Sequence, residues 1–287
     1  MKRIVWLASY PKSGNTWFRA FLANLLRDPA EPVNINELET GPIASARPML
    51  DLALGYDSSN LTFDEIDRLR RELYLRQAGE EGPALYLKVH DAYSLLTDGR
   101  PLFPPEATQA VLYLVRNPLD VCVSYAHHGG RSDYRRTLES MCNPKFEICG
   151  KHDRFHEQLR QRMFSWSGHV ASWRDSKDHR VHVMRYEDMK RTPVDAFTAT
   201  AKFLGLPDTP ARIQKAIDFS RFEELKKQEE KSGFRERMHT GQKFFRKGTS
   251  GSWREALTEE QARRMVDTHR ETMTQLGYLD SNGQLVY

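Results

Sequence analysis

Arg3-Ile4-Val5-Trp6-Leu7-Ala8-Ser9-Tyr10-Pro11-Lys12-Ser13-Gly14-Asn15-Thr16-Trp17 changes character twice within its length. Residues 3–9 form an apolar, β-prone run. Residues 10–15 gather Pro, Ser, Gly and Asn, the residues of a turn. From Thr16 to Arg27 the apolar side chains Trp17, Phe18, Phe21, Leu22 and Leu25 recur along one side, at helical spacing. A buried strand, a tight turn and a helix in direct succession read as the start of a layered α/β fold.

The rest of the chain repeats the alternation. Residues 84–89 and 110–115 are apolar runs bounded by Gly and Pro, as expected of buried parallel strands. Residues 181–185 alternate like a strand. Helices are predicted over 118–128, with Pro118 at the start, and over 163–174 and 194–204. Thr62 with Glu65 and Thr258 with Gln261 are capping boxes that open two further helices. Residues 28–60 and 131–155 read as irregular, the former with room for short helices. Residues 231–252, rich in Gly and basic side chains, read as a loop that is mobile when empty and closes over an anion. No repeat or linker divides residues 1–287, so one α/β domain is expected, with a parallel sheet flanked by helices. Ligands of such sheets bind beyond the carboxyl ends of the strands.

Composition narrows the function. The 43 Lys and Arg against 39 Asp and Glu leave a formal charge of +4, too mild to call for nucleic acid yet compatible with an anionic ligand. No run approaches the ~20 apolar residues that span a bilayer. The opening apolar run is too short for a secretion leader, and Tyr10-Pro11-Lys12 cuts it off. Cys122, Cys142 and Cys149 are odd in number with no CxxC spacing, which points to reduced thiols, a cytoplasmic setting and no metal site.

Three motifs carry chemistry. In Ser9 to Trp17, Gly14 lets backbone approach a phosphate, the helix start supplies N–H donors, Lys12 adds charge, and the Ser13 and Thr16 hydroxyls add short donors. The Walker form is absent, because the lysine precedes the glycine and no first glycine exists. An ordinary capped strand–helix turn would look similar. In Val115-Arg116-Asn117-Pro118-Leu119-Asp120-Val121-Cys122-Val123-Ser124-Tyr125, Arg116 can grip a phosphate with its fork, and Ser124 follows about two helical turns on. The alternative is an Arg116–Asp120 salt bridge with Ser124 facing water. In Phe244-Phe245-Arg246-Lys247-Gly248-Thr249-Ser250-Gly251-Ser252-Trp253, two cations beside Gly248 can clamp a dianion, or merely form a solvated face. Lys88-Val89-His90 ends the strand over 84–89, and alternation puts Lys88 and His90 on one side.

Together these segments resemble the sulfotransferases that use 3′-phosphoadenosine-5′-phosphosulfate (PAPS). Tyr10 to Trp17 is similar to the family's 5′-phosphosulfate loop, with Asn15 where Thr is usual. The Arg116-to-Ser124 segment is similar to its 3′-phosphate motif. Arg246 to Trp253 is similar to its Arg-Lys-Gly-x-x-Gly-Asp-Trp signature, with Ser252 in place of Asp. The resemblance spans most of the chain and implies the family's P-loop-like fold. It implies donor contacts from Lys12, Ser13, Gly14, Asn15, Thr16, Arg116, Ser124, Phe245, Arg246, Lys247 and Gly248, with Trp17, Tyr186, Ser220 and Phe222 around the adenine. It also implies His90, from a Lys-x-His match, as the base that takes the acceptor's hydroxyl proton, with Lys12, Lys88 and Ser124 supporting the transfer. Histidine suits a base near neutral pH. The acceptor is a small-molecule or scaffold-bound hydroxyl of unnamed class. Oligomeric state is not legible: residues 254–263 match poorly the segment through which some relatives dimerise. A P-loop kinase of a small molecule would need a Walker glycine and a magnesium-holding Asp at a strand end, where this chain has Arg116. Against a nucleotide-binding protein that has lost its chemistry stand the intact Lys12, Lys88 and His90.

Overall fold

The computed structural model describes residues 3–38, 40–151, 153–237, 243–246 and 248–286. In chain order the elements are β1 (Ile4–Ser9), α1 (Asn15–Arg27), α2 (Arg47–Leu54), α3 (Phe63–Gly79), β2 (Leu85–Val89) and β3 (Thr108–Val115). Then come α4 (Pro118–His128), α5 (Arg135–Cys142), β4 (Glu147–Ile148), β5 (Gln161–Arg162), α6 (Trp166–Arg174) and β6 (Val181–Arg185). Helices α7 (Tyr186–Arg191), α8 (Pro193–Leu204), α9 (Pro210–Phe219), α10 (Phe222–Ser232) and α11 (Glu259–Gln275) complete the series. The chain forms two interleaved compact units, one of Met1–Tyr10, Thr40–Tyr113 and Asn143–Val183, the other of Pro11–Glu39, Leu114–Cys142 and Met184–Tyr287.

The first unit is built on the expected parallel four-stranded sheet, in the order β2-β1-β3-β6. β1 and β2 pair in register from Ile4↔Leu85 to Ala8↔Val89. All six residues of β1 are buried, which is why the run Ile4 to Ala8 is continuously apolar rather than alternating. Trp6 lies edge-on to Tyr74 and Phe103, each at 4.9 Å between centroids, and its indole N–H donates to Thr108 Oγ1 at 2.9 Å. Burying each such side chain contributes on the order of 1.5–3 kcal/mol. Thr62 caps α3 with the expected reciprocal box with Glu65.

In the second unit, Phe18 and Phe21 of α1 pack on Phe197 of α8. Arg212 of α9 donates to the Leu25 and Leu26 carbonyls at 2.9 and 3.0 Å, satisfying α1's last turn. Thr258 and Gln261 form the box that opens α11.

Three boundaries differ from expectation. Residues 131–155 contain α5 and β4 rather than irregular chain. The α5 signal rests on only three buried residues, Thr137, Leu138 and Met141, in a charged context that hides its period. Helix α6 starts at Trp166 and not at 163, because Phe164 takes a left-handed φ of 55° and Ser165 caps the helix by accepting from Gly168 N–H. The Gly-rich stretch expected over 231–252 begins with the last turn of α10, and Phe234 and Phe245 within it are buried. No described helix is long and apolar enough to cross a membrane.

Candidate active site

Each strand of the sheet runs directly into a predicted site residue: β1 into the Lys12 loop, β2 into His90, β3 into Arg116 and β6 into Tyr186. In the second unit the loop before α1 is shaped by two left-handed residues, Lys12 (φ 70°) and Gly14 (φ 97°). A side chain at Gly14 would also collide with the Tyr186 ring, 2.8 Å from an added Cβ, so only glycine fits. Ser13, Asn15 and Thr16 are buried at the helix start, and Trp17 is half-buried, edge-on to Tyr186 at 5.7 Å. The Lys12 ammonium lies 3.6 Å from the centroid of the Phe244 ring, a cation–π contact.

Arg116 is drawn into the same cluster. Its guanidinium stacks over Tyr186 at 4.3 Å and donates to the carbonyls of Lys12 (3.4 Å) and Thr249 (3.0 Å). Asp120 is not its partner. That carboxylate accepts instead from Gly251 N–H (2.7 Å), the Ser252 hydroxyl (3.3 Å) and Trp253 N–H (3.2 Å). Ser252, the departure from the family signature, thus anchors the loop through its hydroxyl. Gly248 (φ 59°) lies so close to Phe222 that an added Cβ would come 2.6 Å from the ring. Ser124 is half-buried on α4.

Other predicted positions are placed differently from a simple ring of contacts. Phe245 belongs to an apolar cluster with Ala20, Ile35, Leu225 and Phe234, against which Trp17 and Phe222 pack. Ser220 is buried and its hydroxyl reaches back to the Ala216 carbonyl at 2.8 Å. Arg246 is exposed and donates to His127 Nε2 at 3.0 Å. Lys247 lies outside the described residues.

Two residues of this cluster were not singled out from sequence. Lys190 lies four residues after Tyr186 on α7 and donates to the Gly248 carbonyl. Desolvation, and to a lesser degree the Arg116 charge, hold its pKa below that of an ordinary lysine. Glu229 of α10 is buried and accepts from the Phe244 and Phe245 N–H groups at 2.7 and 2.9 Å. The i,i+4 spacing from Tyr186 could have found Lys190; nothing local marks Glu229 among the acidic residues of α10.

In the first unit, His90 follows β2 and is half-buried. Its Nδ1 lies 2.8 Å from the Ser9 carbonyl and 3.3 Å from the Ser9 hydroxyl. A carbonyl only accepts, so Nδ1 carries the hydrogen and Nε2 is the basic nitrogen of the neutral ring. The backbone behind it is clamped. His169 Nε2 donates to the His90 carbonyl at 3.0 Å, which makes His169 Nδ1 the acceptor from the Tyr113 hydroxyl at 2.8 Å. Complete burial lowers the His169 pKa to about 4. Trp173 donates to the Asp91 carbonyl at 2.9 Å, and Arg70 grips the Asp91 carboxylate with two bonds of 2.9 and 3.1 Å. Burial raises the Asp91 pKa, opposed by Arg70. Lys88 is half-buried in β2 opposite Leu7.

The second-unit cluster can be tested for fit to a nucleotide. Ser13 Oγ, Trp17 Nε1 and Arg116 Nε are buried with no hydrogen-bond partner among the described residues. Buried polar groups are normally paired. Donors without acceptors, surplus cations and aromatic faces together fit a multiply anionic ligand with a flat ring. Among the described residues no three His, Cys, Asp or Glu gather as a metal site, and all three cysteines are free thiols.

The fold and these clusters define a transferase of the sulfotransferase type. A family profile described as a sulfotransferase domain matches residues 2–277, and the chain belongs to that family. It is 30% identical over 271 residues to cytosolic sulfotransferase 1 of Arabidopsis thaliana, covering 88% of this chain and 73% of that protein. It is 28% identical over 275 residues to flavonol 3-sulfotransferase of Flaveria bidentis, covering 89% and 77%. Among solved structures, mouse sulfotransferase SULT7A1 complexed with PAP matches with a TM-score of 0.59 at 20% identity, over 99% of this chain and 87% of that one. Retinol dehydratase in complex with androsterone and inactive cofactor PAP matches at 0.61 and 20%, over 97% and 83%. These two share the fold.

Proposed function

We propose that this sulfotransferase takes its sulfuryl group from PAPS and passes it to the hydroxyl of a small-molecule acceptor. The observation that carries the reading is the buried set Ser13 Oγ, Trp17 Nε1 and Arg116 Nε, donors with no acceptor among the described residues. PAPS supplies the reactive group: its bond from sulfur to the 5′-phosphate oxygen breaks, one to the acceptor oxygen forms, and adenosine 3′,5′-bisphosphate leaves.

The chain's residues then divide the work. The backbone N–H groups at the start of α1, with the Ser13 and Thr16 hydroxyls, bind the 5′-phosphate, and Lys12 neutralises charge there. Arg116, Arg246 and Lys247 hold the 3′-phosphate, with Ser124 hydrogen-bonding to it. Lys190 adds its charge to the same cluster. Trp17, Tyr186, Ser220 and Phe222 form the adenine pocket; Phe245 supports it from the apolar cluster beneath. His90 Nε2 receives the acceptor's proton while Ser9 holds Nδ1–H, and Lys88 balances negative charge on the transferring group. With lysine and arginine neutralising the anions, no metal is needed. The free thiols accord with a reducing, cytoplasmic setting. We take residues 1–287 as one domain, since the chain passes between its two units five times and neither is a continuous segment.

The test is turnover with a labelled sulfuryl donor and a panel of hydroxyl acceptors. Transfer of label confirms an enzyme of this type. Tight nucleotide binding without transfer to any acceptor favours a binding protein, and transfer of phosphate from ATP favours a kinase.

A further inference from the structure

The Lys12 ammonium sits over the Phe244 ring, 3.6 Å from its centroid, where a cation is drawn to the negative face of the π-system. The ring is held from several sides. Phe234, Phe245 and His128 pack against it edge-on, with centroids at 4.8, 5.1 and 5.8 Å. Its own N–H donates to Glu229 Oε1 at 2.7 Å, and Glu229 is buried. The same ring leans on the apolar cluster of Ala20, Ile35 and Leu225. A ring packed in this way has little room to move.

Lys12 is fixed at its other end. Its backbone is left-handed at φ 70°, a conformation that a lysine keeps only where its surroundings demand it. Between that backbone and the ammonium runs a flexible stem, which loses much freedom when its head is placed. The kind of partner matters here. A carboxylate would hold the ammonium by neutralising it. An aromatic face holds it and leaves its full charge to act on a second partner. The buried carboxylate of Glu229 spends its two oxygens on the Phe244 and Phe245 N–H groups instead, so it fixes the ring and not the charge.

We infer that Phe244 is a positioning residue for sulfuryl transfer, whose ring holds the Lys12 ammonium ready for the 5′-phosphate oxygen that gains charge. The inference rests on the sulfuryl-transfer reading above for the task of Lys12. As the bond from sulfur to that oxygen breaks, its electron pair stays on the oxygen, and the Lys12 charge stabilises it. With the ammonium already in place, no reorganisation is needed at the moment of reaction. The oxygen's charge develops in the transition state, so the effect of the ring falls on kcat more than on donor binding.

Fluorine tests this, because it draws electrons from the face of a ring while changing its size little. Full chains with 4-fluoro-, 3,5-difluoro- or 3,4,5-trifluorophenylalanine at position 244 are compared with the parent, using PAPS and the fastest acceptor of the panel above. kcat should fall stepwise, by ~10-fold at three fluorines, the scale of a lost cation–π contact. KM for PAPS should stay within ~2-fold, as for an interaction made in the transition state. Phe244→Leu, which keeps apolar bulk without a ring, should match the trifluoro chain in kcat. Stabilisation by adenosine 3′,5′-bisphosphate shows each variant folded. Trifluorophenylalanine at position 234 is the control, since Phe234 belongs to the same aromatic cluster; it should leave kcat within ~2-fold, because it removes packing electrons and no cation contact. A second readout needs no turnover. Acylation of Lys12 by acetic anhydride in the nucleotide-free chain, followed by peptide mass spectrometry, should quicken along the fluorine series, since the ring favours the charged amine. A kcat indifferent to fluorine at 244, or an equal loss from fluorine at 234, overturns the inference and leaves the sulfuryl-transfer reading standing. Acylation that stays flat across the series overturns it as well. A parent chain that sulfates no acceptor sinks the sulfuryl-transfer reading and takes the positioning role with it, whatever the acylation rates show.

Discussion

His90 Nδ1 lies 2.8 Å from the carbonyl oxygen of Ser9. The pair continues the β1–β2 register, in which Ala8 faces Val89, so two adjacent parallel strands set the orientation of one imidazole. His169 and Trp173 bond to the next two carbonyls, of His90 and Asp91, and leave the backbone little freedom.

His90→Ala should therefore lower kcat by ~10²-fold or more, the usual scale for a lost general base. Stabilisation by adenosine 3′,5′-bisphosphate should persist, since the nucleotide cluster is drawn from other residues. Near-normal turnover of a good acceptor by the variant would remove His90 from the reaction.

The donor cluster makes a separate prediction. Adenosine 3′,5′-bisphosphate should raise the unfolding temperature well above the effect of ATP with magnesium, because a ligand of the native state alone adds to its stability. Arg116→Ala should erase most of the preference for adenosine 3′,5′-bisphosphate over adenosine 5′-phosphate, a loss of ~1.5–3 kcal/mol for a charge-assisted contact. Binding and turnover should both survive EDTA. Equal protection by magnesium-ATP, or reversible inactivation by the chelator, would point to the kinase.

Much of this was legible in the sequence because the informative residues are local. β1, the turn through Gly14 and α1 follow one another without interruption, and Pro118–His128 matches its prediction at both ends. The strand ends announced Arg116 and His90 for the same reason. What stayed hidden depends on partners remote in sequence. Asp120 was weighed as a neighbour of Arg116, yet it holds Gly251, Ser252 and Trp253, more than 130 residues away. Nothing in the sequence around His169 marks a role, and only its bond to the His90 carbonyl gives it a positioning role.

That buried His169 has a pH signature. Its pKa is about 4 in the native state against 6.5 for the free side chain. Between those values the unfolded chain binds a proton that the native chain refuses. Stability is thus undiminished above pH 6.5 and declines as pH falls towards 4, by up to about 3 kcal/mol. Asp91 and Glu187, whose pKa values burial raises, act in the opposite sense. Comparing His169→Gln with the parent isolates the histidine, since glutamine keeps both a donor and an acceptor. In urea titrations the variant should gain on the parent as pH drops from 7 to 4. A difference that does not change with pH would mean that His169 is not held neutral. A kcat loss in the variant, with nucleotide binding kept, would mark it as positioning His90.

The last prediction concerns the loop before α11. Its glycines and cations alone imply a segment disordered until an anion arrives, but the structure pins it at two points. Glu229 accepts from Phe244 and Phe245 N–H, and Asp120 accepts from Gly251 and Trp253 N–H. Charge-assisted bonds of this kind contribute ~1.5–3 kcal/mol each, enough to hold both ends without ligand. The part left to adapt lies between them, where Arg246 is exposed and Gly248 and Thr249 offer carbonyls to Lys190 and Arg116. Those two cations would turn to phosphate when nucleotide binds. Hydrogen exchange should accordingly find the Phe244, Phe245 and Gly251 amides slow with or without adenosine 3′,5′-bisphosphate. The amides of Arg246, Gly248 and Thr249 should slow only with it. Glu229→Gln, which swaps one acceptor oxygen for a donor, should speed exchange at Phe244 and Phe245 and weaken nucleotide binding several-fold. Ligand-dependent slowing across all of 244–251 would restore the lid expected from sequence; ligand-independent slow exchange throughout would make the loop a fixed wall.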